Sequence, residues 1–470
     1  MPSKPRKPRD KQPPRQYPDW RNSREEAQVY EIYYHYRNFV EPGPADWRVN
    51  GIQFFVRRGF LQVRVEYAQQ VQDLVAAMPP PGQRELLPAL DDRFPLDPNP
   101  PVNGQVSHGV EWVALPPRVS VFYALQRIAI DLPRIPRRAM GPAYMLDLTG
   151  GGTSTKCQGD EPTPVAPGTP PDPPVSCHPR AGAGIRVVVL DSGLDQAALA
   201  LPWMNGVTGE PDPGVVPGQD LGQYAGHGTF MAGVIRCVAP AAEVIVRAAF
   251  PRPGGSCSTT PLGCSFADEI VDALEETLEE DHPDVINLAA GTFVLPGENT
   301  LVALEGFYDN LFRFAKGTVI IAAAGNDTRR QRFYPAAEKW TVAAGALSAN
   351  HRQRASFSNF GTWVDVFTPG EHLVNAFPSG TLNYLEPPRQ GNNAAFTGLA
   401  RWSGTSFSTG VLSGLVAARM SRTGESGVEA ARGVVAEAHR TALPGVGAVA
   451  LPWLGDEAEC GCGCRKKSGC

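Results

Sequence analysis

The sequence predicts an α/β protein, a mostly parallel sheet between layers of helices, preceded by a small α+β region. Three observations lead there. Five short stretches, "IRVVVLD" (185–191), "EVIVRAAF" (243–250), "DVINLAAG" (284–291), "TVIIAAAG" (318–325) and "WTVAAGAL" (340–347), are apolar nearly throughout rather than alternating. Strands covered on both faces have that character. Helical segments separate them: in "FADEIVDALEETLEED" (266–281), Ile270, Leu274 and Leu278 form one stripe and acids fill the other faces. Strand and helix in alternation build a parallel sheet with helices on both sides. Ahead of this lies "GFLQVRVEY" (59–67), where Leu61, Val63, Val65 and Tyr67 alternate with Gln62, Arg64 and Glu66 as in a half-buried strand.

The 470 residues suffice for two or three domains. Residues 1–27 are basic and Pro-rich without periodicity, which predicts a disordered tail. No apolar stretch follows that tail, as a secretory signal requires. No apolar run approaches the ~20 residues of a membrane span. The expectation is therefore no membrane partner and a cytoplasmic location. With 43 basic and 48 acidic residues, the net charge is −5, which does not suit a nucleic-acid partner. Nine cysteines, an odd number in a long chain, argue against a full disulfide framework and for a reducing compartment.

Residues 28–148 read as the small α+β domain. "IQFFVRRGF" (52–60) is expected to pair with the next strand as a hairpin through Arg58 and Gly59. A helix carrying Val71, Leu74 and Val75 follows, and after eight prolines in 79–101 "VEWVAL" (110–115) reads as another strand. Residues 149–183 are a linker, with seven prolines in "EPTPVAPGTPPDPPV" (161–175), expected to be extended, exposed and semi-rigid. Residues 184–455 form the α/β domain. The tail at 456–470 holds four cysteines in "ECGCGCRKKSGC". They suit either a soft metal or, more simply, a flexible redox-active tail. Cys257 and Cys264 flank a loop and could pair; Cys237 reads as a small core residue.

In parallel sheets, functional groups gather at the carboxyl ends of strands. Asp191 ends "IRVVVLD", although "DSG" by itself is only a turn. His227 lies between two glycines in "YAGHGTFMAGVI" (224–235), where the backbone can come close to a neighbour, although a lone His is commonly structural. Asn326 follows "TVIIAAAG"; its amide suits a developing oxyanion, and equally a turn conformation. Ser406, in "RWSGTSFSTGVLSG" (401–414), precedes an apolar run and is either a helix cap or a nucleophile.

Together the four are far more specific. They run Asp191, His227, Asn326, Ser406, with spacings of 36, 99 and 80 residues. On "VVVLDSGLD", "GHGTFMAGVI", "AAAGND", "SGTSFSTGVLSG" and "ASFSNFGTWVDVFTPG" (355–370) the chain resembles the subtilisin-like serine proteases over about 184–455. The resemblance implies the three-layer fold of that family and a serine endopeptidase acting on polypeptide through an acyl-enzyme. It implies Ser406 as nucleophile, His227 as base, Asp191 as its orienting acid and Asn326 as oxyanion donor. "NLAAG" (287–291) matches the substrate segment, where Ala289, Ala290 and Gly291 would pair with a peptide backbone. A peptide ligase or cyclase on this scaffold would need the same groups. No cofactor and no metal site is expected; calcium is common in the family, but no site for it can be identified. Phe230 replaces a second His of the family, Gly410 a Pro expected to leave its helix slightly looser, and Ala289 a Ser. Residues 28–148 are then either an attached accessory domain for a protein partner, the reading preferred here, or a prosegment that blocks the cleft until removed.

Overall fold

A computed structural model describes residues 29, 32–45, 51–79, 82, 86–148, 161–258, 262–298, 300–385 and 389–452. The expected tails at 1–27 and 456–470 lie outside the described residues.

The N-terminal region is an antiparallel sheet of β1 (Val40–Gly43), β2 (Phe54–Arg64), β3 (Val106–Ser107), β4 (Val110–Ala114) and β5 (Met140–Asp147), with helices α1 (Val65–Ala76) and α2 (Val121–Asp131). The expected hairpin is absent. Arg58 and Gly59 lie inside the single strand β2, whose register against β5 shifts between Val56 and Leu61. Gly59 has φ +81°, so its freedom is used for a bulge, not a turn. Val65 and Tyr67 are not strand residues either. They begin α1, which buries Ala68, Val71 and Val75.

The second region contains β6 (Arg186–Asp191), β7 (Thr208–Gly209), α3 (His227–Val238), β8 (Glu243–Ala248), β9 (Cys264–Phe266), α4 (Ala267–Glu276), β10 (Val285–Leu288), α5 (Val302–Asn310), β11 (Val319–Ala323), β12 (Thr341–Leu347), β13 (Val366–Pro369), α6 (Thr405–Thr423) and α7 (Gly427–Ala438). Seven strands form one sheet in the order β13–β12–β11–β10–β6–β8–β7, every pairing parallel. Strand β6 explains the unbroken apolar runs. Val187 and Val189 join a core with Ile235, Val411 and Val416 of α3 and α6, while Val188 and Leu190 join Ile270 and Leu274 of α4 on the other face.

The second core does not stop at α4. It continues through Phe307 of α5 into Val56, Leu61 and Leu146 of the N-terminal sheet, and β9 pairs antiparallel with β5 at its edge. Across the same junction Arg57, 1% exposed, contacts Asp97, Asp268 and Glu269. Such an ion cluster fixes how two surfaces meet more than it stabilises them. The expected linker is described from residue 161 on, and there it is mostly exposed as expected but lies against the second region rather than free of it. Thr163 and Pro164 pair with Arg401 and Ala400, Asp172 bridges Val374, and the Ser176 N–H donates to the Cys237 carbonyl (2.7 Å). Cys177 is disulfide-bonded; Cys237, Cys257 and Cys264 are free and buried, so the last two are not paired. Among the described residues no helix is long and apolar enough to cross a membrane.

Helix α6 meets α3 through glycines, with no room for a side chain at the contact. A Cβ on Gly410 would fall 2.7 Å from Met231 Sδ, and one on Gly414 would fall 2.6 Å from Val238 Cβ. Gly410 is thus a packing residue rather than a mere loosening of its helix. Gly414→Ala is expected to cost about 1–3 kcal/mol by overpacking, read from urea unfolding; an unchanged midpoint contradicts this. Glu298 accepts a hydrogen bond from Tyr144 of β5, and burial pushes its carboxyl up from 4.5 to about 7. A carboxyl raised on folding contributes most below its unfolded pKa and loses that contribution as pH rises through about 7. Relative to Glu298→Gln, wild-type Tm should therefore fall between about pH 5 and pH 8; a constant difference contradicts this.

Candidate active site

Asp191 closes β6 and is fully buried. Its carboxylate accepts from His227 Nδ1 at 2.8 and 2.9 Å and from the Ser192 N–H at 2.7 Å. The glycines flanking His227 make that contact available. Gly226, at φ +81°, turns the chain into α3, and a Cβ there would lie 2.2 Å from Pro378 Cδ. A Cβ on Gly228 would lie 2.5 Å from the Gly193 carbonyl oxygen and 3.1 Å from Asp191 Cβ. The helix therefore starts directly against the Asp191 turn. The imidazole sits edge-on to Trp402 and beside Phe407, both with centroids at 5.2 Å, and Phe230 packs on Phe407 at 4.4 Å. Phe230 thus walls the site, which accounts for an apolar ring at that position.

Asn326 follows β11, in the turn after Gly325 (φ +92°). Its Oδ1 accepts from Thr405 N–H and Oγ1, each at 2.9 Å. That fixes the amide and leaves Nδ2 without a hydrogen-bond partner among the described residues. Helix α6 starts at Thr405 with Gly404 before it, so Ser406 is not the cap. Its N–H is one of the orphan donors of the first turn. Its Oγ is 3.3 Å from the Ala289 carbonyl oxygen and 3.4 Å from that of Leu148, and among the described residues it makes no hydrogen bond to His227. Catalytic hydrogen bonds often form only once substrate is seated.

The chain itself occupies the cleft beside Ser406. Asp147 and Gly291 exchange both backbone hydrogen bonds, at 3.2 and 3.1 Å, and the Leu148 N–H donates to the Gly263 carbonyl at 3.0 Å. The end of β5 is thus held between β9 on one side and the 289–291 segment on the other. Ala290 packs into the core below, and Gly291 has no room for a side chain, since a Cβ would lie 2.3 Å from Phe333. The structure thus joins Asp191 to His227, Asn326 to Thr405 beside Ser406, and Ser406 to Ala289, and among the described residues no hydrogen bond links Ser406 to His227.

Residues 182–449, more than half of the chain, match the subtilase family. The chain belongs to the subtilases. It is 29% identical over 216 residues to the thermophilic serine proteinase of Bacillus sp. (strain AK1), covering 44% of this chain and 49% of that one. It is 30% identical over 208 residues to subtilisin E of Bacillus subtilis (strain 168), covering 43% and 50%. The chain spans about half the length of the curated relatives it matches. A solved variant of the PatA protease domain aligns at 24% identity over 57% of this chain and 91% of that one, with a TM-score of 0.43, a likeness that adds no weight to the family assignment.

Two residues of this subtilase's site escaped the sequence. Ser192 stood in plain view within "DSG" but resembled any turn serine. Asp212 carries no motif and is brought to Ser192 from 20 residues away (2.7 Å); burial pushes its carboxyl up from 3.8 to about 6. Among the described residues no group of three or more His, Cys, Asp or Glu could hold a metal ion. Gly228→Ala should push α3 off the Asp191 turn and destabilise by about 1–3 kcal/mol, with a Tm drop as the readout; an unchanged Tm contradicts the tight approach.

Proposed function

We propose that this subtilase is a serine endopeptidase that hydrolyses polypeptide through an acyl-enzyme. Ser406 Oγ attacks the carbonyl. His227 takes its proton through Nε2 and returns it to the leaving amine, while Asp191 holds Nδ1 and stabilises the imidazolium. The free Nδ2 of Asn326 and the Ser406 N–H donate to the oxyanion. The observation that carries this reading is the amide of Asn326, whose oxygen is committed to Thr405 so that its nitrogen remains for the reacting carbonyl.

We further propose that residues 28–148 act as a prosegment-like domain rather than the attached accessory domain preferred from the sequence. The support is the path of β5, which delivers Leu148 to the nucleophile, and its pairing with Gly291 in the manner of substrate. The peptide bond after Leu148 is then the one to be cut. The reducing compartment expected from the cysteine count, and with it the cytoplasmic location, is weakened by the disulfide at Cys177.

A fluorophosphonate probe should label the wild type and fail on Ser406→Ala and His227→Ala. Labelling of Ser406→Ala contradicts the mechanism. Turnover should fall about 10⁶-fold without Ser406 and about 10²–10³-fold in Asn326→Ala; an Asn326→Ala enzyme as fast as wild type removes that residue from the oxyanion site. Mass spectrometry should find wild type cut just after Leu148 and Ser406→Ala intact. A full-length wild type that is active on peptides overturns the prosegment reading, and joined rather than hydrolysed peptides among its products would make it a ligase.

A further inference from the structure

Asp212 lies outside the stretches that carry the resemblance, yet it binds a chain neighbour of each member of the Asp191–His227 pair. It follows β7 and is 4% exposed. Its Oδ2 accepts from the Ser192 hydroxyl (2.7 Å) and from the Gly226 N–H (2.8 Å), and its Oδ1 accepts from the Gly214 N–H (2.8 Å). Ser192 Oγ in turn accepts from the Gly228 N–H at 3.1 Å. Ser192 directly follows Asp191, and its own N–H donates to the Asp191 carboxylate. Gly226 and Gly228 flank His227. One oxygen of Asp212 is therefore attached to the turn that carries the acid and to the helix start that carries the imidazole. The third bond, to Gly214, anchors Asp212 in its own loop. A Cβ on Gly193 would lie 2.7 Å from Asp212 Cα, so that loop sits directly against the turn.

We propose that Asp212 is the positioning residue of this site, its Oδ2 setting the separation between Asp191 and His227 through Ser192, Gly226 and Gly228. The proposal rests on the triad reading above. Without that oxygen the Gly226 N–H and the Ser192 hydroxyl lose their common acceptor, and α3 can slide along the turn. Misplacement of reacting groups by about 1 Å can cost about 10²-fold.

The test compares steady-state kinetics on a peptide ester, together with fluorophosphonate labelling rates. Wild type and variants are expressed as the full chain and brought to the same processing state, which under the prosegment reading is the form cut after Leu148. Asp212→Ala should lower kcat about 10- to 100-fold with KM within about threefold. Asp212→Asn keeps an oxygen at the Oδ2 position at the expense of the Gly214 bond. It should recover to within about fivefold of wild type, a rescue that a purely structural loss would not give. Ser192→Ala removes the bridge alone and should lower kcat about tenfold, and the double variant with Asp212→Ala should be no slower than Asp212→Ala. The inference is overturned by an Asp212→Ala kcat within twofold of wild type, by a raised KM at unchanged kcat, or by an Asp212→Asn as slow as Asp212→Ala. Should Asp212→Ala not fold, a Ser192→Ala kcat within twofold of wild type overturns it equally. A wild type that takes no fluorophosphonate label sinks the triad reading and this inference together.

Discussion

The close approach of helix α3 to its two neighbours is the constraint on which the site depends. On one side, glycine at 228 lets the helix start against the turn that ends β6, so an imidazole can reach a fully buried carboxylate. On the other, glycines at 410 and 414 let α6 lie against α3 and bring Ser406 to the same end of the sheet. Side chains at these positions would push the two helices apart. The approach at 228 is set by contact with the Gly193 backbone, and at 410 and 414 the α6 backbone lies directly on the Met231 and Val238 side chains of α3, so little room is left for adjustment in a close-packed interior.

Much of this was legible because the relevant signals are local. The central strands declare themselves by being apolar on both faces, and the packing of Val187 and Val189 against one core and Val188 and Leu190 against the other is the reason. Asp191, His227, Asn326 and Ser406 sit in short motifs at strand ends or helix starts. What was hidden depends on contacts distant in sequence. Asp212 is unremarked in its own segment and meaningful only beside Ser192. Gly59 can serve a turn or a bulge, and only the pairing of β2 with β5 decides between them. The prolines of 161–175 predict extension correctly but say nothing of what the extended chain lies against.

The N-terminal region gains its place from the same sheet logic. Its strand β5 borrows β9 as an edge partner and then continues along Gly291 to Ser406. Edge strands offer unpaired backbone groups that another segment can complete, and here the protein's own chain completes them at Gly291. Arg57 and its carboxylates, with Tyr144 on Glu298, tie the N-terminal sheet to the second region where that chain enters. Under the proposed prosegment reading, substrate binding and self-blocking would draw on one set of backbone donors and acceptors.

The most direct measurement is a crystal structure of the full chain carrying Ser406→Ala. The account predicts residues 145–148 paired with β9 and Gly291, the Leu148 carbonyl beside residue 406, and the Asn326 amide nitrogen facing the same peptide. A cleft in which residue 406 lies far from the His227 ring, with β5 directed elsewhere, would contradict it.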